Sequence, residues 1–138
     1  ADNPGRKKAV EMLARKLGVS DRLRILGPVS ESDKAWYFQN CLAFLLPSLA
    51  EGFGAPVVEA MKFGKPIFLS DRTSLPEIGG DVSFYFNSFE PEHMRSVFRA
   101  GMTKYDQNGL RTAIQNRGNE FDWERKALDY LHVYRSLL

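Results

Sequence analysis

Two glutamates bracket a glycine-rich turn in the stretch "AEGFGAPVVEA" (50–60). Glu51 stands ahead of Gly-Phe-Gly and Glu59 stands behind Pro56, with seven residues between the two acids. Gly52 and Gly54 permit close backbone approach and dihedrals that other residues resist. Pro56 suits the first turn of a helix, where its missing N–H costs nothing. The turn therefore feeds a helix whose first amides are unpaired and point outward. With the helix dipole, those amides seat an anion or polarised hydroxyls. A carboxylate accepts two hydrogen bonds at once, so Glu59 can hold a vicinal diol while Glu51 reaches whatever occupies the turn. The implied ligand has a diol at one end, a negative group in the middle and a polar ring at the other. A nucleotide sugar meets all three demands. A plainer reading stays open beside it, with Glu51 a surface loop acid and Glu59 a solvated helix residue. Val57, Val58, Ala60 and Met61 are poor company for a solvent-facing side chain.

The surrounding elements must hold that turn in place. Val10, Leu13, Ala14 and Leu17 recur at helical spacing behind an early Pro4, so the first twenty residues read as a helix that Gly18 stops. "LRIL" (23–26) reads as a short strand closed by Gly27-Pro28. Ser30, with Asp33 three residues on, opens a helix over 30–40. "CLAFLLP" (41–47) is apolar almost throughout, as expected of a strand buried on both faces of a parallel sheet. A helix over about residues 54–63 follows the turn, Gly64 ends it, and "KPIFLS" (65–70) is the next strand. "TSLPEIGGD" (73–81) reads as a turn and a short helix, and "VSFYF" (82–86) as a strand. Three helices close the chain, at 91–105, 108–121 and 122–138. Strand and helix alternating with short connections predict an α/β fold, a Rossmann-like parallel sheet with a helical C-terminal tail. In such sheets ligands sit beyond the carboxyl ends of the strands, which places the Glu51 loop on the ligand face.

A chain of 138 residues forms a single domain, and its 43% hydrophobic and 26% charged content is that of a globular protein. Nineteen basic residues against seventeen acidic ones argue against a dedicated nucleic-acid binder. Clusters such as Arg6-Lys7-Lys8 and Arg15-Lys16 read as the wet face of a helix. Cys41 is the lone cysteine, so an internal disulfide is excluded and a reducing compartment is expected. Within "CLAFLLP" it reads as a small hydrophobe. No apolar run reaches the length of a membrane span, and the polar start is not that of a signal peptide. The expected location is the cytoplasm, with access to the inner membrane surface in a longer enzyme.

The block "PSLAEGFGAPVVEAMKFGKPIFLSDRTSLPEIGGD" (47–81) resembles the donor-binding signature of GT-B glycosyltransferases of the group 1 type, also called family 4. That family carries a Glu-x7-Glu motif, matched by Glu51 and Glu59. "LRILGPV" precedes the motif as in the family, and "FDWERKALDYLHVYRSL" is similar to its closing helix. The resemblance implies that Glu59 holds the ribose of a nucleoside diphosphate sugar and that Glu51, the catalytic residue of the set, positions the donor sugar. The backbone of Gly52, Phe53 and Gly54, with Ala55 and Val58 in the first turns behind it, completes the donor site. Val29 matches a position whose backbone meets the base; Glu31 and Lys34 flank it, and an acid there can read the N–H groups of guanine. The reaction implied is retaining transfer of a hexose, mannose among the candidates, to a glycan or glycolipid in polysaccharide assembly. It needs no metal or other cofactor, in keeping with the lack of an Asp-x-Asp motif. His93 and His132 fall in the helical tail and read as surface or packing residues.

The sequence departs from the family at its start. "ADNPGRKKAVEML" already resembles the helix after the second strand, so two strand–helix steps, with the arginine and lysine that clamp the diphosphate, have no counterpart. The acceptor-binding N-terminal domain has none either. The expectation is the donor-binding part of a longer enzyme, inactive by itself, whose partner is that N-terminal domain. The strand at 41–47 would then present an open edge. Three outcomes are foreseen: "LRIL" shifts to pair with it, two copies of the chain pair edge to edge, or the intervening strands belong to residues beyond this sequence. Two other functions compete, a nucleotide-sugar 2-epimerase-like enzyme and a non-catalytic nucleotide-sugar-binding domain. The epimerases lack the glutamate pair and need histidine and acid groups in their cleft.

Overall fold

The computed structural model describes residues 4–137, and the remaining termini, assigned above to the first and last helices, lie outside them. The chain forms two compact units, one up to Ala35 and one from Trp36 onward. In the first, α1 (Pro4–Lys16) occupies the start of the described residues and ends at Gly18, which takes a left-handed φ of 66°. Gly18 N–H bonds to the Arg15 carbonyl and Val19 N–H to the Ala14 carbonyl, the paired arrangement that closes a helix on a left-handed glycine. Of the helical stripe, Ala14 alone is buried; Val10, Leu13 and Leu17 are exposed. A 3-10 turn (Ser20–Arg22) follows. Residues 23–26 form no strand, although Leu23 is extended. The helix α2 (Glu31–Asn40) starts as expected: Ser30 Oγ accepts from the Asp33 N–H at 3.1 Å.

The second unit is built on a parallel sheet in the order β1 (Phe44–Leu46), β2 (Ile67–Ser70), β3 (Phe84–Phe86). Phe44 pairs with Ile67, and Phe68 with Phe84. β2 is central and wholly buried, which explains the apolar Ile67-Phe68-Leu69 within it. Its side chains alternate between two layers. Phe68 stacks on Phe84 (5.0 Å between ring centres) and meets Phe98 of α5 (Pro91–Asn108) at 4.9 Å. Gly101 lets α5 come that close, because a Cβ there would stand 2.6 Å from the Phe68 ring. Ile67 and Leu69 join the opposite core with Val57, Val58, Ala60 and Met61 of α3 (Ala55–Lys62), Leu75 and Ile78 of α4 (Leu75–Gly79), and Ile114 of α6 (Arg111–Asn119). Each fully buried Val, Leu, Ile or Met side chain among them contributes roughly 1.5–3 kcal/mol. The final helix, α7 (Trp123–Ser136), exposes Leu128, Tyr130, Leu131, Val133, Tyr134 and the following Leu137.

Two expectations for the sheet are corrected. "LRIL" neither forms a strand nor pairs with β1, since an extended segment without a ladder partner has nothing to hold it as one. β1 is not covered on both faces: Leu45 is 44% exposed, and Leu42 and Leu49 are 71% exposed. Its outer edge has no strand partner among the described residues.

Candidate functional site

The loop from Pro47 to Gly54 leaves the carboxyl end of β1, and residues 71–74 leave the carboxyl end of β2. Because the strands are parallel, both loops emerge on the same rim of the sheet. They are stitched together there. The Ser70 hydroxyl donates to the Ser48 carbonyl. Thr73 Oγ1 accepts from the Glu51 N–H at 3.1 Å. The Ser74 hydroxyl faces the carbonyls of Glu51 (3.1 Å) and Phe53 (3.3 Å). Glu51 is thus held through its backbone while its half-buried side chain belongs to the rim.

Gly54 is the N-cap of α3 with φ 93° and ψ 40°, a left-handed backbone that glycine takes without strain. A Cβ at that position would stand 3.2 Å from Leu75 Cδ2. The Gly54 carbonyl accepts from the Val57 N–H, and Pro56 sits in the first turn, where its ring fits. Gly52 differs from the sequence expectation. Its φ is not positive, and a Cβ there would meet nothing within 4 Å. Only one of the two glycines is required by backbone geometry.

Along α3 the buried residues are Val57, Val58, Ala60 and Met61, while Ala55, Pro56 and Lys62 are exposed. Glu59 is half-buried and shares the Ala55 side of the helix, one turn on. Ala55 and Glu59 therefore lie on the stripe that leads back to the glycine turn. Val58, 7% exposed, is part of the core cluster. The Phe53 ring packs edge-on against Phe121 at 5.9 Å, and the Arg117 guanidinium lies 4.9 Å over that same Phe121 ring. Arg117 is anchored in turn, donating to the carbonyls of Glu77 and Ile78 and pairing with Glu120.

The structure brings together Glu51, Gly52, Phe53, Gly54, Ala55 and Glu59 around one turn. In the first unit, Val29 is exposed and Lys34 bridges Glu31 at 2.8 Å, one helical turn apart. Cys41 is half-buried beside the Phe38 carbonyl, and desolvation raises its pKa, as fits a packing residue. His93 lies in the first turn of α5 and His132 in α7. Among the described residues, no helix is long and apolar enough to cross a membrane.

Thr73, Ser74, Phe121 and Arg117 escaped the sequence reading as parts of this rim. Ser74 before Leu-Pro carries the look of an ordinary helix cap, and nothing in its spacing announces a partner more than twenty residues away.

Residues 1–95 match the family described as glycosyl transferases group 1. The O-antigen chain mannosyltransferase B of Escherichia coli is 29% identical over 119 residues, covering 83% of this chain and 30% of the relative. A serotype-specific mannosyltransferase, WbdA, of the same organism is 34% identical over 101 residues, 72% of this chain and 12% of its own. The chain thus spans a third or less of the curated relatives it matches here. Among solved structures, a sucrose-phosphate synthase from Thermosynechococcus elongatus superposes with a TM-score of 0.78 at 20% identity. It covers 99% of this chain and 37% of the synthase, a likeness of fold. The α/β sheet, the glutamate-flanked turn and the family match lead to one assignment: this chain belongs to the group 1 glycosyl transferases, in the Rossmann-like domain of the GT-B fold.

Proposed function

We propose that this chain is the donor-binding portion of a retaining glycosyltransferase that transfers a hexose from a nucleoside diphosphate sugar to a glycan or glycolipid. The observation that carries the reading is the rim itself. Glu51 and Glu59 flank a left-handed Gly54 at the carboxyl ends of parallel strands, on the start of α3. Glu59 accepts the ribose hydroxyls. Glu51 accepts from the donor sugar and orients it for transfer. The backbone at Gly52, Phe53, Gly54 and Ala55 contacts sugar hydroxyls and phosphate, and Val58 supports that turn from the core.

The relatives' printed names favour mannose, and an acid at Glu31 favours guanine. GDP-mannose is therefore the first donor to try. The leaving diphosphate is stabilised electrostatically by the helix start and by cationic side chains, without a metal. Holding donor and acceptor together supplies much of the remaining acceleration. The acceptor is presented by a separate N-terminal domain of the parent enzyme, working in the cytoplasm at the inner membrane surface in polysaccharide assembly.

Calorimetric titration of the chain with GDP, UDP, GDP-mannose and UDP-glucose tests the reading, repeated with Glu59→Ala. The expected result is binding of one nucleotide series that the substitution weakens at least tenfold, the loss of charge-assisted hydrogen bonds to the ribose. Binding unchanged by the substitution removes Glu59 from the ribose.

A further inference from the structure

Thr73 has a left-handed backbone, φ 49°, and is the only non-glycine residue at positive φ among those described. A β-branched residue is an outlier there, because its Cβ crowds the backbone. Such strain persists only where the surroundings over-determine it, and it gathers at working sites. At Thr73 the surroundings are the Glu51 peptide, whose N–H donates to Oγ1 at 3.1 Å. The next residue grips the same loop from its carbonyl side, with the Ser74 hydroxyl facing Glu51 O at 3.1 Å and Phe53 O at 3.3 Å. Ser74 is also the N-cap of α4, yet it makes no side-chain cap bond there. Capping its own helix is the ordinary use of a serine at that position. Two consecutive side chains have therefore given up local comfort to hold the N–H and the carbonyl of one distant residue.

We propose that Thr73 is a positioning residue for the donor sugar. It fixes the Glu51 peptide, and through it the direction from which the Glu51 carboxylate meets the sugar. This inference rests on the donor-site reading above, in which Glu51 serves the sugar and Glu59 the ribose. A purely structural pin would act on the whole loop and weaken nucleotide and sugar nucleotide alike. A positioning residue acts on the increment that the sugar adds.

The test compares GDP with GDP-mannose, and UDP with UDP-glucose in parallel, on the wild-type chain, Thr73→Gly and Thr73→Ser. Glycine keeps the left-handed backbone without strain and removes the acceptor; serine keeps the acceptor. Thr73→Gly is expected to lower affinity for the sugar nucleotide roughly three- to tenfold, the worth of one hydrogen bond, and to leave the bare nucleotide unchanged. Thr73→Ser restores the wild-type ratio. Hydrogen exchange at the Glu51 amide quickens in Thr73→Gly and not in Thr73→Ser. An unmoved ratio in Thr73→Gly, or equal losses for both ligands, overturns the positioning role while leaving the donor site standing. A wild-type chain that binds none of the four ligands overturns the donor-site reading and this role with it.

Discussion

Gly54→Ala is the substitution whose consequence can be worked most fully from the geometry. Position 54 holds φ 93°, and a left-handed backbone costs an L-residue about 1–2 kcal/mol. The new Cβ would also stand 3.2 Å from Leu75 Cδ2 and 3.5 Å from Val57 Cγ2. The Val57 contact is an ordinary one, but Leu75 is fully buried in the core and yields only by disturbing it, and overpacking of that kind adds roughly 1–3 kcal/mol. Alanine restricts the unfolded chain and gives back about 0.4–1 kcal/mol. The net expectation is a loss of about 1–4.5 kcal/mol. Gly52→Ala is the control, since its φ is not positive and its Cβ meets open space; it should be neutral or mildly stabilising. Urea unfolding followed by circular dichroism reads both. Nucleotide affinity should fall in Gly54→Ala under conditions where the variant is folded, because the turn that carries the amides is displaced. A Gly54→Ala protein as stable as wild type, or a Gly52→Ala protein that loses more, would refute the backbone argument.

Three further outcomes follow from the packing. Arg117→Ala removes donors to the Glu77 and Ile78 carbonyls and the cation over Phe121, so urea unfolding should show a loss of roughly 2–4 kcal/mol; under about 0.5 kcal/mol the anchoring role fails. Desolvation raises the Tyr85 pKa above its ordinary value, and its hydroxyl donates to the Gly80 carbonyl at 2.7 Å. The unfolded chain releases that proton first, so stability is fully present below about pH 10 and falls as pH climbs through the folded pKa. Tyr85→Phe should flatten the alkaline limb of a stability–pH profile, and an equally steep limb contradicts the assignment. The open edge of β1, with Leu45 exposed, offers a template for a second copy. Sedimentation should show concentration-dependent association that Leu45→Lys suppresses; a wild type that stays monomeric throughout contradicts it.

Local chemistry made much of this fold legible in advance. Gly18 ends α1, Ser30 with Asp33 opens α2, and Pro56 with Gly64 frames α3, because each acts on its own few residues. The strand expected at 65–70 is found as β2, Ile67–Ser70. Residues 23–26 misled because a strand is a property of its neighbours, whereas 41–47 does hold β1 and only the cover expected on both its faces is missing. "LRIL" has the composition without a ladder, and "CLAFLLP" has the apolarity without the cover. At the site, Glu51, Gly54 and Glu59 were visible through spacing. Thr73 and Ser74 were not, because their partners lie 22 and 23 residues away and only the parallel pairing of β1 with β2 brings the loops together. The distinction between Gly52 and Gly54 was equally hidden, since a glycine does not announce which sign of φ it will adopt.

The central claim is that the start of α3 and its two flanking carboxylates receive a sugar nucleotide. Backbone amide shifts of the isotope-labelled chain, followed during titration with GDP-mannose and with UDP-glucose, test it most directly. The account predicts saturable shifts that concentrate on Glu51 through Glu59 and on Thr73 and Ser74 for one of the two ligands. Shifts that leave those amides unmoved, or that gather on another face of the chain, would contradict it.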